Sequence, residues 1–264
     1  MKKNLTKHQA YLLGLKKEKI IINLWRYGLL VLFIILWEVF AQTGIIDAFI
    51  MSSPSRMIST LSDLILDGSL LYHIGVTLYE TVAGFLIATI LGTLIAIAFW
   101  WWTTLSKTLE PYVVILNALP KIALGPIIII WVGAGTNAII TMAVLVCLII
   151  TVISMQNAFS SVEKDKLLLM KTMSATKFQT LTKLVLPYSV PAFVSTLKIN
   201  VGLSWVGSII GEYLVSKAGL GYLIVYGGQI FKLDLVMTST IILCALASIM
   251  YACVTIFERK ITKK

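Results

Sequence analysis

The segment Glu163–Pro191, EKDKLLLMKTMSATKFQTLTKLVLPYSVP, is the longest interval after residue 100 whose composition does not suit a lipid bilayer. Apolar residues recur through it, interspersed with five lysines: Lys164, Lys166, Lys171, Lys177 and Lys183. The part from about Glu163 to Met173 begins with acidic residues, as the dipole of a helix favours, and predicts a short helix. A second short helix is predicted after a break. The fold is organised around this polar helix pair, because membrane-length apolar segments lie on both sides of it.

The second helix of the pair has a clear predicted start and end. Thr176 and Gln179 have the spacing of a capping box, in which the two side chains satisfy backbone N–H groups at the helix start. Three apolar side chains then fall on one helical face: Phe178, Leu181 and Val185. Leu186-Pro187 is predicted to end the helix, because a proline pushes the preceding residue out of helical geometry. Two interpretations stay open for the pair, a docking surface for a soluble partner or an amphipathic loop on lipid headgroups.

The composition indicates a polytopic membrane protein. Of the 264 residues, 58% are hydrophobic and 13% are charged, which is far more apolar than a soluble domain. The net charge of +10 does not indicate nucleic-acid binding, because the basic residues lie in short segments beside apolar runs. The three cysteines and two histidines have no metal-ligand spacing, so no metal site is expected. The sequence also lacks a Gly-x-x-x-x-Gly-Lys-Ser/Thr motif, so we expect no nucleotide-binding loop and no catalytic residues.

The apolar runs predict six membrane-spanning segments in an all-α protein, with the polar helix pair between the fourth and fifth. The spans are Leu24–Phe40, Tyr72–Trp102, a third broken at Pro120 and Pro126, Ile139–Gln156, Ala192–Leu214 and Leu235–Phe257. Residues 1–23 form a basic N-terminal segment, residues 24–257 a single membrane domain, and residues 258–264 a basic tail. Thr103–Lys121 is predicted to be a short connection, and a short outer helix is predicted after Pro54.

The distribution of lysine and arginine predicts the orientation of the chain in the membrane. Nineteen of the 22 basic residues fall on the side of the N terminus, and three fall on the opposite side: Arg56, Lys217 and Lys232. Cytoplasmic loops carry the excess of basic residues in membrane proteins. Both termini and the polar helix pair are therefore predicted to lie in the cytoplasm.

The spacing within the polar helix pair resembles the coupling loop of binding-protein-dependent ABC importer permeases. That family has Glu-Ala-Ala, three residues, Gly, and then about a dozen residues to Leu-Pro, which leaves Ser174 at the glycine position here. The glutamate and the glycine are absent, and because Ser174 is not glycine we do not expect it to need a positive φ. The residues that the resemblance assigns to ATPase coupling are Leu168, Leu169, Met170, Ser174, Ala175, Thr176, Phe178, Leu181, Leu186 and Pro187.

Three further stretches resemble the branch of this family that imports nitrate, sulfonates and taurine. They are Ser53-Pro54-Ser55, Leu119–Pro126 with Trp131-Val-Gly133, and Glu212 followed by Gly219-Leu-Gly221. The resemblance implies a type I importer permease in the bacterial cytoplasmic membrane that passes a sulfonate-, nitrate- or taurine-like anion or a related small organic molecule. It implies three partners: ABC ATPase subunits, which bind the ATP and Mg, an extracytoplasmic binding protein or lipoprotein, and a second permease copy, as a homodimer. No cofactor is expected in this chain.

Four polar residues inside the predicted spans are candidates for the translocation pathway or its gate: Glu80, Asn200, Ser204 and Glu212. Polar groups inside a membrane segment face protein or water by default. Glu80 stands where the family pattern has an arginine, so it either pairs within the bundle or indicates a less anionic substrate. Glu212 lies near the outer end of its span, where solvation alone would also account for it. Lys198 lies near the cytoplasmic end and is expected to snorkel.

Two other classes of protein are alternatives to an importer permease: an intramembrane enzyme and a self-contained secondary transporter. An intramembrane enzyme would need a nucleophile with its base, or paired acids at mid-span, whereas Glu38 and Glu80 are far apart in sequence. A self-contained secondary transporter is the remaining alternative, but six spans without an evident repeat are few for that class. Genes for an ATPase and an exported binding protein beside this one would distinguish the two.

Overall fold

The structure is a computed structural model that describes residues 7–262, and within that range the chain forms α-helices and no strand. The helices are α1 Lys7–Gln42, α2 Ala48–Met51, α3 Pro54–Leu66, α4 Ser69–Trp101, α5 Thr103–Ala118, α6 Gly125–Val132, α7 Thr136–Ser160, α8 Lys164–Thr172, α9 Lys177–Thr180, α10 Leu186–Val215, α11 Leu220–Gln229 and α12 Leu233–Thr262. A 3₁₀ turn, Lys121–Leu124, precedes α6, and a π-helical turn, Leu181–Val185, joins α9 to α10. The predicted fold class is confirmed.

Five helical segments in the described part of the chain are long and apolar enough to cross a membrane: Lys17–Gln42, Ser69–Trp101, Thr136–Ser160, Lys177–Val215 and Leu233–Ile261. Taken together, α5 and Lys121–Val132 are also long and apolar enough for a sixth crossing, and they meet at a bend of 91° next to Pro120. The prediction of a short connection at Thr103–Lys121 is wrong, since Thr103–Ala118 is a helix of 16 residues. Its first half is rich in hydroxyl and charged side chains, which obscured the apolar second half.

Helices α4, α7 and α10 form the centre of the bundle and pack through small residues. A Cβ atom added to Gly84 of α4 would lie 2.5 Å from the Ala143 Cβ, and one added to Gly207 of α10 would lie 2.6 Å from the Ala143 Cα. Ala143 of α7 is therefore held between two glycines. Gly211, one turn after Gly207, lies equally close to Ile139 of α7. Small residues four apart let helix backbones approach closely in lipid, where packing drives association.

The short helix α3 is held against the start of α12 by polar contacts. The Ser53 hydroxyl accepts a hydrogen bond from the Arg56 N–H, as the residue before a helix commonly does. The Arg56 guanidinium then pairs with Asp234 at 2.8 Å, and the Ser52 hydroxyl donates to the same carboxylate at 2.7 Å. The predicted short helix after Pro54 is confirmed, and this network fixes its position against α12.

Helix α1 stands apart from the rest of the bundle. Its main contacts are with α2 and α3, and none of its apolar window is buried within the single chain. Its exposed apolar residues, such as Leu24, Phe33 and Ile35, suit contact with lipid or with another protein chain.

Candidate coupling surface and buried polar sites

Both helices of the polar helix pair begin as the sequence predicts. Helix α8 follows Glu163, whose carboxylate accepts a hydrogen bond from Lys166 at 2.9 Å and so raises the pKa of that lysine. Helix α9 follows Thr176, whose hydroxyl accepts from the Gln179 N–H while the Gln179 side chain accepts from the Thr176 N–H at 2.8 Å. The predicted capping box is confirmed.

The break between the two helices is a left-handed turn at Ser174. Its φ is 55°, so the prediction that this residue would not need a positive φ is wrong. The Ala175 N–H bonds to the Met170 carbonyl and the Ser174 N–H to the Lys171 carbonyl, both at 3.0 Å. These two bonds form a Schellman motif, whose geometry requires the left-handed conformation whatever residue occupies the position. The motif explains why a glycine would suit Ser174 better than serine.

The Leu186-Pro187 pair does not end the second helix, contrary to the sequence prediction. Leu186 keeps helical geometry, with φ −62° and ψ −49°, and its N–H bonds five residues back to the Leu181 carbonyl. Proline is tolerated in the first turn of a helix, where no N–H group is needed. The π-helical turn therefore places Pro187 at the start of α10, and Lys177–Val215 runs as one helical segment of 39 residues.

The predicted apolar face of the second helix is divided between two environments. Leu181 and Val185 are buried against Met155 and Phe159 of α7, inside the chain's own core. Phe178 is instead exposed, together with three apolar residues of the first helix and the turn after it. The exposed apolar residues of the pair, here called the coupling patch, are Leu168 (60% exposed), Leu169 (59%), Met173 (71%) and Phe178 (63%). Met170, the third residue of the expected trio, is half-buried.

Lys177 connects the polar helix pair to the end of α4. Its ammonium group donates to the Trp101 carbonyl oxygen and lies 5.4 Å from the centre of the Trp101 ring and 5.9 Å from that of Trp100. A lysine at these distances is attracted to the ring faces. This contact was not predicted from the sequence, because it joins residues 76 positions apart.

Two of the candidate pathway residues lie between helices of the same chain. Asn200 of α10 is buried and donates to Thr89 of α4 at 3.2 Å and to Thr151 of α7 at 2.8 Å. Ser204 is also buried, and its hydroxyl bonds to the Val201 carbonyl in its own helix. The Asn200 side chain thus joins all three central helices.

Glu212 holds the loop between α10 and α11 against the bundle. Its Oε2 atom accepts hydrogen bonds from the Gly221 N–H at 2.6 Å and the Tyr222 N–H at 3.2 Å. A Cβ atom at Gly219 would lie 2.3 Å from this oxygen, and one at Gly221 would lie 2.8 Å from it. The glycines of Gly219-Leu-Gly221 are therefore needed to let the backbone close around the carboxylate. Helix α4 adds the hydroxyl of Thr77, which accepts from the Leu220 N–H at 2.8 Å.

Glu80 is brought next to Glu212, although the two acids are remote in sequence. The two carboxyl groups lie close enough to interact electrostatically, and both residues are fully buried. Glu80 also lines a cavity of about 360 Å³ that includes Thr136, at the start of α7, and Lys217. The sequence does not reveal this pair of acids, because their proximity depends on the packing of α4 against α10.

Lys198 of α10 forms an ion pair with Glu258 of α12 at 2.5 Å. The expectation that Lys198 merely snorkels is therefore wrong. Glu258 lies about one turn before the end of α12 at Thr262, and the sequence offered no signal for this partner.

Most of the chain resembles known membrane transport proteins. Residues 88–263 match the sequence profile of the family described as binding-protein-dependent transport system inner membrane component. A putative aliphatic sulfonates transport permease protein of Bacillus subtilis is 26% identical over 241 residues, covering 90% of this chain and 87% of the relative. A formylaminopyrimidine transport permease protein of Halalkalibacterium halodurans is 29% identical over 189 residues, covering 71% of this chain and 74% of the relative.

A solved structure shares the fold. It is the crystal structure of a bacterial ABC transporter involved in the import of the acidic polysaccharide alginate, with a TM-score of 0.66 and 16% sequence identity. The alignment covers 94% of this chain and 99% of the matched one.

Proposed function

The chain belongs to the family of binding-protein-dependent transport system inner membrane components, and on that premise we propose that it is one half of the membrane channel of an ATP-driven importer. It is a transport subunit of the ABC permease type, as its relatives are. In this proposal a separate ATPase binds the ATP and Mg, and an extracytoplasmic binding protein delivers the solute. The family membership also argues against a self-contained secondary transporter.

The observation that carries this proposal is the coupling patch. Leu168, Leu169, Met173 and Phe178 are exposed on a segment that otherwise carries lysines and threonines. A cluster of exposed apolar side chains with a polar rim is typical of a protein–protein interface. Because the usual glutamate and glycine are absent, these side chains contribute to ATPase binding by packing rather than by charge. Leu186 and Pro187 act differently, as the link that carries the motion into α10.

Two connections would transmit closure of the ATPase into the bundle. The first is the continuous helical segment from Lys177 to Val215, so that a displacement of α9 moves α10 directly. The second is the contact of Lys177 with Trp100 and Trp101, which joins α9 to the cytoplasmic end of α4. Helices α4 and α10 both pack on α7, so the two connections act on the same central group.

The orientation of the importer follows from its basic residues. Both termini and the polar helix pair lie in the cytoplasm in this proposal, because the basic residues concentrate on that side. Residues 24–257 act as the single membrane domain. A second copy of the chain completes the channel, and the unburied apolar surface of α1 is available for contact with it.

The solute is a small organic molecule or anion, of the kinds that relatives are named for. Glu80 replaces the arginine expected at its position, which favours a solute less anionic than a sulfonate. Glu80 and Glu212 line or gate the outer end of the pathway in this proposal. Asn200 and Ser204 support it from the interior of the bundle, since both are enclosed by the chain's own helices.

Reconstitution tests the proposed function. The purified chain alone is expected to hydrolyse no ATP, and hydrolysis is expected only with a cognate ABC ATPase. In proteoliposomes that also contain a cognate binding protein, a ligand of that protein found by thermal-shift screening should accumulate when ATP is supplied on the ATPase side. Intrinsic hydrolysis by the chain, or ATP-independent uptake, would overturn the assignment.

A further inference from the structure

The acidic pair, Glu80 and Glu212, has more carboxyl oxygens than the surrounding protein satisfies. Glu212 Oε2 accepts two backbone hydrogen bonds, from Gly221 and Tyr222. The other three oxygens of the pair have no hydrogen-bond partner among the described residues, and the exposed fraction is 0% for Glu80 and 1% for Glu212. Buried polar atoms in native proteins are nearly always satisfied. Three such atoms in one place call for a donor or a positive charge that the described residues do not supply.

Among the described residues, no basic side chain forms an ion pair with the acidic pair. The ion pairs within residues 7–262 lie elsewhere, between Arg56 and Asp234, Lys166 and Glu163, and Lys198 and Glu258. The remaining titratable side chains near the pair are Tyr72 and His73 on α4, Tyr213 on α10, Lys217 in the following loop and Tyr222 on α11. Lys217 is exposed, and the His73 Nδ1 atom accepts a hydrogen bond from the Gly219 N–H. Neither provides an ion pair to the two carboxyl groups.

Two adjacent carboxylates without a counter-charge repel each other, and burial makes the repulsion costly. A single positive charge between them removes most of that cost, and it interacts with the three free oxygens at once. A divalent metal ion fits less well, because Ca²⁺ takes six to eight oxygen ligands and Mg²⁺ requires an octahedral set. Besides the three oxygens, the nearby hydroxyl groups are those of Thr136 and Thr77.

We propose that the acidic pair binds one monovalent cation, a proton or an alkali-metal ion such as Na⁺, between its two carboxyl groups. Glu80 also borders a cavity that includes Lys217, a residue predicted to lie on the outer side of the membrane. Occupancy would hold α4 against the Glu212 end of α10 and against the loop that leads to α11. The site therefore stabilises the outer end of the central helices in their closed arrangement, and it does so whether or not the chain works with an ATPase.

Thermal unfolding of the full chain in lipid nanodiscs tests this site. Wild type, Glu80→Gln and Glu212→Gln are compared while Na⁺ is exchanged for N-methyl-D-glucamine at constant ionic strength, and separately while the pH is varied. Either glutamine removes one negative charge, and its amide group can donate to the remaining carboxylate. Glu110→Gln, at an exposed acid on α5, is the matched control. The use of two glutamine variants keeps the test valid if one of them fails to fold.

The two cations give different results. If Na⁺ fills the site, the Tm of wild type rises with Na⁺ concentration at fixed pH, because a ligand that binds only the folded state stabilises it. If a proton fills it, the Tm ignores Na⁺ and falls as pH rises, because the folded state then holds more protons than the unfolded one. The infrared band of a protonated carboxyl group should also be present in wild type and lost in Glu80→Gln.

With either cation, the Tm of the glutamine variants does not respond to it. When the cation is scarce, their Tm exceeds that of wild type by about 2–4 °C or more. Identical responses of wild type, both glutamine variants and Glu110→Gln would overturn the proposal.

Discussion

At the scale of single residues, the chain shows where local geometry overrides residue type. The Schellman motif after α8 imposes a left-handed conformation on Ser174, which costs a non-glycine residue free energy. Around Glu212 the residue type suits the local geometry, because two glycines are present where the backbone closes on the carboxylate. Serine thus stands at a position where glycine would help, and glycines stand at two positions where an added Cβ would meet the Glu212 carboxylate.

Ser174→Gly is expected to stabilise the turn between α8 and α9 by about 0.5–1 kcal/mol, because glycine adopts φ 55° without a Cβ penalty. Amide hydrogen exchange at Ala175, whose N–H closes the motif, would measure the gain. The control is Ser161→Gly at the end of α7, where φ is −78° and glycine should only destabilise. Equal effects at the two serines would contradict the left-handed assignment.

At the scale of helices, the bundle depends on how closely α10 and α7 approach. The sequence indicated small residues in the spans, and the structure shows that position within the helix decides their role. Gly207 meets the Ala143 backbone, whereas Gly202 of the same helix has no atom within 4 Å of an added Cβ. The residue type does not reveal which of these two glycines packs against α7, because the difference lies in the face of α10 that each occupies.

Gly207→Ala is therefore expected to destabilise the bundle by about 1–3 kcal/mol, since the new methyl group would displace α7. Gly202→Ala should be neutral or stabilising, because alanine has the higher helix propensity and open space is available. Thermal unfolding of the two variants in the same detergent gives the comparison. Similar losses at both positions would rule out the close contact with Ala143.

The contact between Lys177 and the tryptophans gives a second prediction at this scale. Lys177→Met should leave ATPase binding nearly intact but lower solute transported per ATP severalfold, because α9 would no longer be held to the end of α4. Lys183→Met, at an exposed lysine of the same segment, is the control. Solute uptake and ATP hydrolysis are measured in the same proteoliposomes for both variants. An unchanged ratio of solute transported to ATP hydrolysed in Lys177→Met would exclude a role in coupling.

At the scale of the whole molecule, much of the fold was predictable because apolar run length and basic-residue bias act locally along the chain. The all-α class, the capping box at Thr176 and the spans outside the broken one followed from such patterns. The pairing of Glu80 with Glu212, of Lys198 with Glu258, and of Lys177 with Trp101 did not, since each joins helices that are distant in sequence. The sequence also did not show that Leu181 is buried while Phe178 is exposed. Periodicity shows that a helix face is apolar but not what covers it.

The orientation of the whole chain is a further prediction, made from the positive-inside rule. In a variant with Cys147, Cys244 and Cys253 replaced by alanine, a cysteine at Lys171 should be labelled only from the cytoplasm. Cysteines at Asp63 and Lys217 should be labelled only from outside. A membrane-impermeant maleimide applied to intact cells and to inverted vesicles makes the measurement. External labelling at Lys171 would exclude any ATPase contact with the polar helix pair.

Co-purification of the ATPase with coupling-patch variants tests the central claim most directly. Leu169→Asp should weaken ATPase binding about ten- to a hundredfold, because a buried leucine contributes about 1.5–3 kcal/mol and 1.4 kcal/mol corresponds to tenfold. Thr172→Asp adds the same charge to the same helix without removing apolar surface, and it should bind nearly as well as wild type. Both variants should reach the membrane at normal levels, since both residues are exposed. If Leu169→Asp retains the ATPase and transports as wild type does, the coupling patch is only a membrane-surface amphipath and the proposed mechanism is wrong.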